Sequence, residues 1–236
     1  MQLKGWVRTS LINYPDHIAT VLFTGGCNFR CPMCHNADLV LHPETLPDIP
    51  VAEVLAYLEQ RAGRLTGVVL TGGEPTLQNG LPEFLNDVRA LGYAVKLDTN
   101  GYRPDVLTAL LRQGLLDYVA MDVKAPPEQY AEVAGVSGLA IDHIERSLDA
   151  LRDGDITYEV RTTLVPRWLT VDAIAALAQW LAARFPPHGP RLWILQPFRA
   201  QQTLDENLGG LIPYNTTQLQ ALAGHARQWV RAVRIR

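Results

Sequence analysis

Ala19-Thr20-Val21-Leu22-Phe23-Thr24-Gly25-Gly26-Cys27 and Gly67-Val68-Val69-Leu70-Thr71-Gly72-Gly73-Glu74 decide how this chain folds. Each is a short apolar run that breaks into Thr-Gly-Gly and then a chemically capable side chain. A run apolar on both phases suits a parallel strand buried on both faces. Further candidates lie at 94–97, 118–121, 157–163 and 192–195. They run into Asp98-Thr99-Asn100-Gly101, Asp122-Val123-Lys124, Arg161-Thr162-Thr163 and Gln196-Pro197-Phe198-Arg199. Helices are predicted over 51–62 after Pro50, 82–91 before Gly92, 104–113 before Gly114 and 141–152 before Gly154. A fifth, over 170–184, opens on a Thr170 N-cap and carries Ile174, Leu177 and Leu181 on one face; a last covers 216–229. Strand–helix alternation means parallel α/β. A doubly wound sheet and an incomplete barrel both place sites at strand C-termini. Polar residues from six strands can meet in one place only if the sheet curls. The expectation is therefore one domain, residues 1–236, folded as an incomplete (β/α)6 TIM-like open barrel of parallel strands.

At 236 residues, with 47% hydrophobic and 19% charged residues, the chain is globular and needs no disulfide staples. A net charge of −3 offers no nucleic-acid or anionic-membrane surface. Lys4 and Arg8 lead into Leu11-Ile12-Asn13-Tyr14-Pro15-Asp16, which is no secretory signal. The longest apolar stretch, 173–183, is broken by Gln179 and too short to span a bilayer. The expectation is a cytoplasmic protein with no membrane or nucleic-acid partner. Only Lys4, Lys96 and Lys124 are lysines among 21 basic residues, so each retained lysine merits attention.

All three cysteines, Cys27, Cys31 and Cys34, fall in one short segment, with His35 directly after. An odd, clustered set points to metal or redox chemistry, not disulfides. Structural zinc takes four protein ligands, and simple iron–sulfur carriers take four cysteines. With no fourth cysteine, either a histidine completes the set or one position stays open for a substrate. Closure by His35 or His17 would make a zinc-stabilised binding module. His35, adjacent to Cys34, is poorly placed for that and reads better as a loop histidine bonded to backbone.

Cys27-x3-Cys31-x2-Cys34 resembles the signature of the radical S-adenosylmethionine (SAM) enzymes, and Thr71-Gly72-Gly73-Glu74-Pro75 resembles their methionine-binding segment. The closer resemblance is to the activating enzymes of glycyl-radical enzymes. It runs through Ser10-Leu11-Ile12-Asn13-Tyr14-Pro15, the cysteine loop 26–36, Asp98-Thr99-Asn100-Gly101, Met121-Asp122-Val123-Lys124, and Arg161 with Leu164-Val165-Pro166. Gln196-Pro197-Phe198-Arg199 favours the branch serving anaerobic ribonucleoside-triphosphate reductase over the pyruvate formate-lyase activators. Met33 stands where the family usually has an aromatic residue, and Phe198-Arg199 where those lyase activators have Tyr-His.

The resemblance implies that Cys27, Cys31 and Cys34 ligate a [4Fe–4S] cluster whose fourth iron binds SAM. Gly72, Gly73 and Glu74 would hold the methionine amino group. Asp98, Lys124 and Arg161 would line the SAM site, and Asp98, Thr99 and Asp122 would bind a monovalent cation. The implied activity is reductive cleavage of SAM to a 5′-deoxyadenosyl radical, which makes a glycyl radical on the ribonucleotide reductase large subunit. With no cysteines for a second cluster, the electron comes from a flavodoxin or ferredoxin. A radical SAM enzyme acting on a small molecule, such as a deazaguanine synthase, is the alternative. On elementary grounds Arg161, inside an apolar strand, requires an anionic partner. Asp98-Thr99-Asn100-Gly101 also reads as a turn with an Asx-type bond.

Overall fold

The computed structural model describes residues 1–236. Its strands are β1 (Leu3–Ser10), β2 (Ala19–Thr24), β3 (Gly67–Gly72), β4 (Ala94–Thr99), β5 (Tyr118–Asp122), β6 (Thr157–Leu164), β7 (Trp193–Pro197) and β8 (Val233–Ile235). They form one sheet in simple chain order, antiparallel between β1 and β2 and parallel from β2 to β8. The sheet is open, with β1 and β8 at its edges. The helices are α1 (Ala37–Leu41), α2 (Val51–Gln60), α3 (Leu81–Ala90), α4 (Pro104–Arg112), α5 (Pro127–Ala134), α6 (Ile141–Asp153), α7 (Val171–Arg184) and α8 (Thr216–Ala226). No helix is long and apolar enough to cross a membrane.

All six strand expectations hold, and the sheet gains a strand at each edge. The last helix ends at Ala226, short of the expected 229, and the segment after it supplies β8, which pairs with β7 through Trp193↔Val233 and Leu195↔Ile235. At the other edge, β1 mixes Lys4, Trp6 and Arg8 on an antiparallel strand with solvent access. The Arg8 guanidinium lies 3.3 Å from the Trp6 ring centroid and pairs with Glu53, so a charge is accommodated outside the barrel. Helix α5 was not foreseen; its first residue is Pro127, whose fixed φ and missing N–H suit a first turn.

The strands are apolar on both phases because they serve two cores. Val68 and Leu70, Val95 and Leu97, Val119 and Met121 face a large core shared with the helices. The opposite phase, with Ala19, Val21, Val69, Tyr118 and Ala120, joins Tyr14 in a small cluster inside the barrel. That inner phase turns polar toward the C-terminal ends: Lys96 and Asp98 on β4, Asp122 on β5, Glu159 and Arg161 on β6. Glu159 is fully buried there, taking a 3.0 Å bond from the Tyr118 hydroxyl and two from Arg236 (both 3.1 Å).

Candidate functional site

The C-terminal ends of β2 to β7 open onto one cavity of about 280 Å³. Cys27, Cys31 and Cys34 line it, on the loop leaving β2, together with Gly72, Gly73, Asp98, Lys124 and Arg161. A larger recess, about 610 Å³, lies on the outer face between α4 and α6, lined by Asp149, Asp153 and Arg146 among others. It holds no cysteine and none of the β2–β7 C-terminal ends, so size does not mark the site.

Glu74 is the one SAM-site candidate outside the cavity. It is buried under the wall, and its carboxylate is occupied by its own chain. Oε1 accepts from the Thr76 N–H (3.0 Å), the Thr76 hydroxyl (2.5 Å) and the Thr99 hydroxyl (2.7 Å), while Oε2 accepts from the Asn100 N–H (2.7 Å). Burial raises its pKa, opposed by these donors. The residue thus caps the turn after β3 and ties it to the end of β4.

The two glycines are required by a close backbone crossing. The Gly73 N–H donates to Thr24 O (2.9 Å) and the Glu74 N–H to Gly26 O (2.8 Å), which docks the turn on the cysteine loop. A Cβ on Gly73 would sit 1.9 Å from Gly26 O, and Gly72 holds φ +110°. Gly73→Ala is expected to prise this turn off the loop, lowering both melting temperature and iron retained after anaerobic reconstitution. Gly224→Ala, in α8 with nothing within 4 Å, is the control and should not destabilise.

The charged residues form an alternating chain. Lys96 pairs with Asp98 Oδ1, Arg161 bridges Asp98 Oδ2 (3.0 Å) and Asp122 Oδ1 (2.8 Å), and Lys124 holds Asp122 Oδ2 (2.9 Å). Arg161 therefore has two anionic partners where one was required. Burial alone would raise Asp122's pKa, but Arg161 and Lys124 outweigh it and hold the carboxyl well below the usual range. Burial opposes the Lys124 charge and Asp122 more than restores it. Three basic side chains thus alternate with two carboxylates beneath the cavity, and burial lowers the Lys96 pKa against the pull of Asp98. The third lysine, Lys4, is likewise nearly buried, held by Asp48 (2.8 Å) and Leu46 O (3.1 Å).

The expected monovalent cation site is not assembled. Every oxygen of Asp98 and Asp122 already faces a side-chain cation, and the Thr99 hydroxyl turns away to Glu74. Arg161 lies between the two carboxylates.

The two histidines that could close a zinc site are each engaged through Nδ1 with another partner. No three Cys, His, Asp or Glu side chains converge as a single metal ion needs. His35 Nδ1 lies 3.2 Å from Gln201 O, as a backbone-bonded loop histidine. His17 Nδ1 lies 3.0 Å from the Thr66 hydroxyl, just before β3 and thus at the end of the sheet opposite the cysteines. Burial, with Glu74 adding to it, pushes the Cys27 thiol up to about 12; burial, opposed by Lys124, pushes Cys31 up to about 11. Both thiols must give up protons when metal binds.

Residues 21–182 match the model of the Radical SAM superfamily, a span holding the cysteine triplet, the Gly-Gly turn and the Asp98–Lys124–Arg161 group. The chain belongs to the radical SAM superfamily. A Methanocaldococcus jannaschii protein provisionally named a glycyl-radical enzyme activating enzyme is 30% identical over 99% of this chain and 95% of its own length. A Sulfolobus acidocaldarius protein provisionally named a GTP 3′,8-cyclase is 32% identical, over 51% of this chain and 38% of its own. Among solved structures, Streptococcus suis SuiB bound to precursor peptide SuiA superposes with TM-score 0.70 at 13% identity, covering 92% of this chain and 48% of that one. That likeness is one of fold.

Membership implies a [4Fe–4S] cluster and SAM, and the donor set fits them. Three thiols, a side-chain-free Gly-Gly backbone and the Lys124 and Arg161 cations line one cavity. Sequence reading assigned no role to Lys96 or Asn36, both part of this assembly. Asn36 donates to Gly72 O (2.9 Å), a second tie between the loop and the glycine turn. The loop after β7 adds another: the N–H groups of Leu204 and Asp205 donate to Cys34 O and Pro32 O (both 2.9 Å). The scarcity of lysine pointed at Lys96, whereas nothing local marks a bond across about 170 residues.

Proposed function

We propose that this radical SAM protein is a cytoplasmic activating enzyme that installs a glycyl radical on a partner, with the large subunit of anaerobic ribonucleoside-triphosphate reductase as that partner. The observation that carries the reading is the end-to-end match to the M. jannaschii protein named for this role. The likeness to the cyclase covers half the chain.

Cys27, Cys31 and Cys34 would hold the cluster, and the Gly72–Gly73 backbone would receive the methionine amino group. Lys124 and Arg161 would meet the carboxylate or ribose, with Asp98 and Asp122 fixing where those cations point. When bound, cluster and SAM supply a 5′-deoxyadenosyl radical through one-electron cleavage of the sulfonium. Phe29, Met33 and Val40 give the cavity an apolar wall that keeps water from that chemistry. A flavodoxin or ferredoxin would deliver the electron.

Anaerobic reconstitution, reduction and addition of SAM should yield 5′-deoxyadenosine by chromatography. Alanine at Cys27, Cys31 or Cys34 should abolish it. Adding the reductase large subunit should produce a doublet in its electron paramagnetic resonance spectrum. Product formed with GTP consumed and no protein radical would instead favour cyclase-type chemistry. Purified protein holding one zinc and no sulfide would return the chain to the binding-module reading.

A further inference from the structure

Asn100 sits just past β4, 6% exposed, with its side-chain amide fixed in orientation. Its backbone N–H is held by Glu74 Oε2 (2.7 Å). Its Oδ1 accepts from the Tyr102 N–H (2.9 Å), the Asx-type bond expected of this turn. A backbone N–H can only donate, so the oxygen must face Tyr102 and the NH2 must face the other way. That NH2 donates to Asn28 Oδ1 (2.8 Å) and lies 3.8 Å from Cys27 Sγ. The Phe29 N–H adds a second donor to the same sulfur at 3.3 Å. The Cys31 sulfur has its own backbone N–H beside it, but Cys27 is the one sulfur that amides of other residues reach, including a side-chain amide. Beside it, Asn28 Nδ2 is buried without a partner. A buried amide hydrogen left unbonded is costly, and a thiolate or sulfide acceptor nearby would relieve it.

Hydrogen bonds to ligand sulfur withdraw electron density and favour the more negative, reduced state of an iron–sulfur cluster. Building on the cluster reading above, we propose that Asn100 is a positioning residue that sets the cluster's reduction potential through Cys27, held to that task by Glu74 from behind. It makes the cluster easier to reduce by an external donor.

The decisive substitution is Asn100→Asp. It keeps the shape and the acceptor for Tyr102, but turns a carboxylate toward the Cys27 sulfur. Reconstituted wild type and variant are titrated electrochemically without SAM, with iron and sulfide assayed in parallel. At a fixed applied potential the reduced-to-oxidised ratio should fall at least tenfold in Asn100→Asp, a midpoint about 59 mV more negative. Asn100→Ala, which removes the donor without adding charge, should shift the same way by less. Midpoints unchanged in variants with full iron would overturn the inference, as would loss of iron from both, which makes Asn100 scaffold alone. If Asn100→Asp alone loses iron, the alanine variant decides by its midpoint. Wild-type protein that assembles no cluster would instead defeat the cluster reading itself.

Discussion

Arg161→Ala should cost the apo protein about 3 kcal/mol at neutral pH and abolish measurable SAM binding. That figure is the low end for breaking a buried pair, because Asp122 keeps 29% side-chain exposure while Asp98 keeps only 11%. Removing the guanidinium leaves two carboxylates at the barrel mouth, held only by Lys96 and Lys124 at the outer ends of the chain. Arg161→Lys keeps the charge but loses the planar fork, so it can serve one carboxylate well and should recover only part of the stability. The pH dependence follows from sign. In wild type the Asp122 pKa is depressed in the fold, so its stabilisation is present above the ordinary carboxylate value and lost only as pH falls through the lowered one. Without Arg161, burial of Asp122 is opposed by Lys124 alone, and protonating that carboxyl relieves the repulsion. The deficit should therefore narrow between pH 7.5 and 4.5. Urea unfolding at both pH values measures it; a deficit under about 1 kcal/mol that ignores pH would mean Arg161 behaves as an exposed surface ion.

The barrel was legible because its strands must be apolar on both phases, so each polar interruption marked the mouth. Arg161's need for an anion was legible for the same reason. What the sequence hid was register. Asp122 pairs beside Arg161 on the adjacent strand, and Asp98 lies one strand farther; only the assembled sheet makes one guanidinium serve both. The expected cation ligands separate on that point, since Asp98 and Asp122 share Arg161 while the Thr99 hydroxyl turns to Glu74. Strand β1 escaped because an antiparallel edge carries no buried run. Glu74 shows a further limit: Gly-Gly-Glu marks a close backbone crossing but does not say which way the carboxylate turns.

That direction makes Glu74 the sharper test. If it served chiefly to hold the methionine amino group, Glu74→Ala would leave the apo protein unchanged and weaken SAM alone. The structure leads to a different expectation. Alanine strips the acceptor from two amide N–H groups, Thr76 and Asn100, each costing about 1–3 kcal/mol when left unsatisfied in a buried place. The turn after β3 and the end of β4 then lose their common anchor, and with them the docking of Asn100 beside Cys27. Glu74→Ala should therefore lower the apo melting temperature and the iron retained, with faster hydrogen exchange at the Thr76 and Asn100 amides. Glu74→Gln separates charge from geometry. Its amide oxygen can keep the three donors on Oε1, but its NH2 then opposes the Asn100 N–H, two donors face to face. Exchange should rise at Asn100 and stay near wild type at Thr76. An alanine variant with wild-type melting, wild-type iron and only weakened SAM binding would return Glu74 to the cavity wall, because a carboxylate whose loss leaves its four donors undisturbed cannot be what holds them.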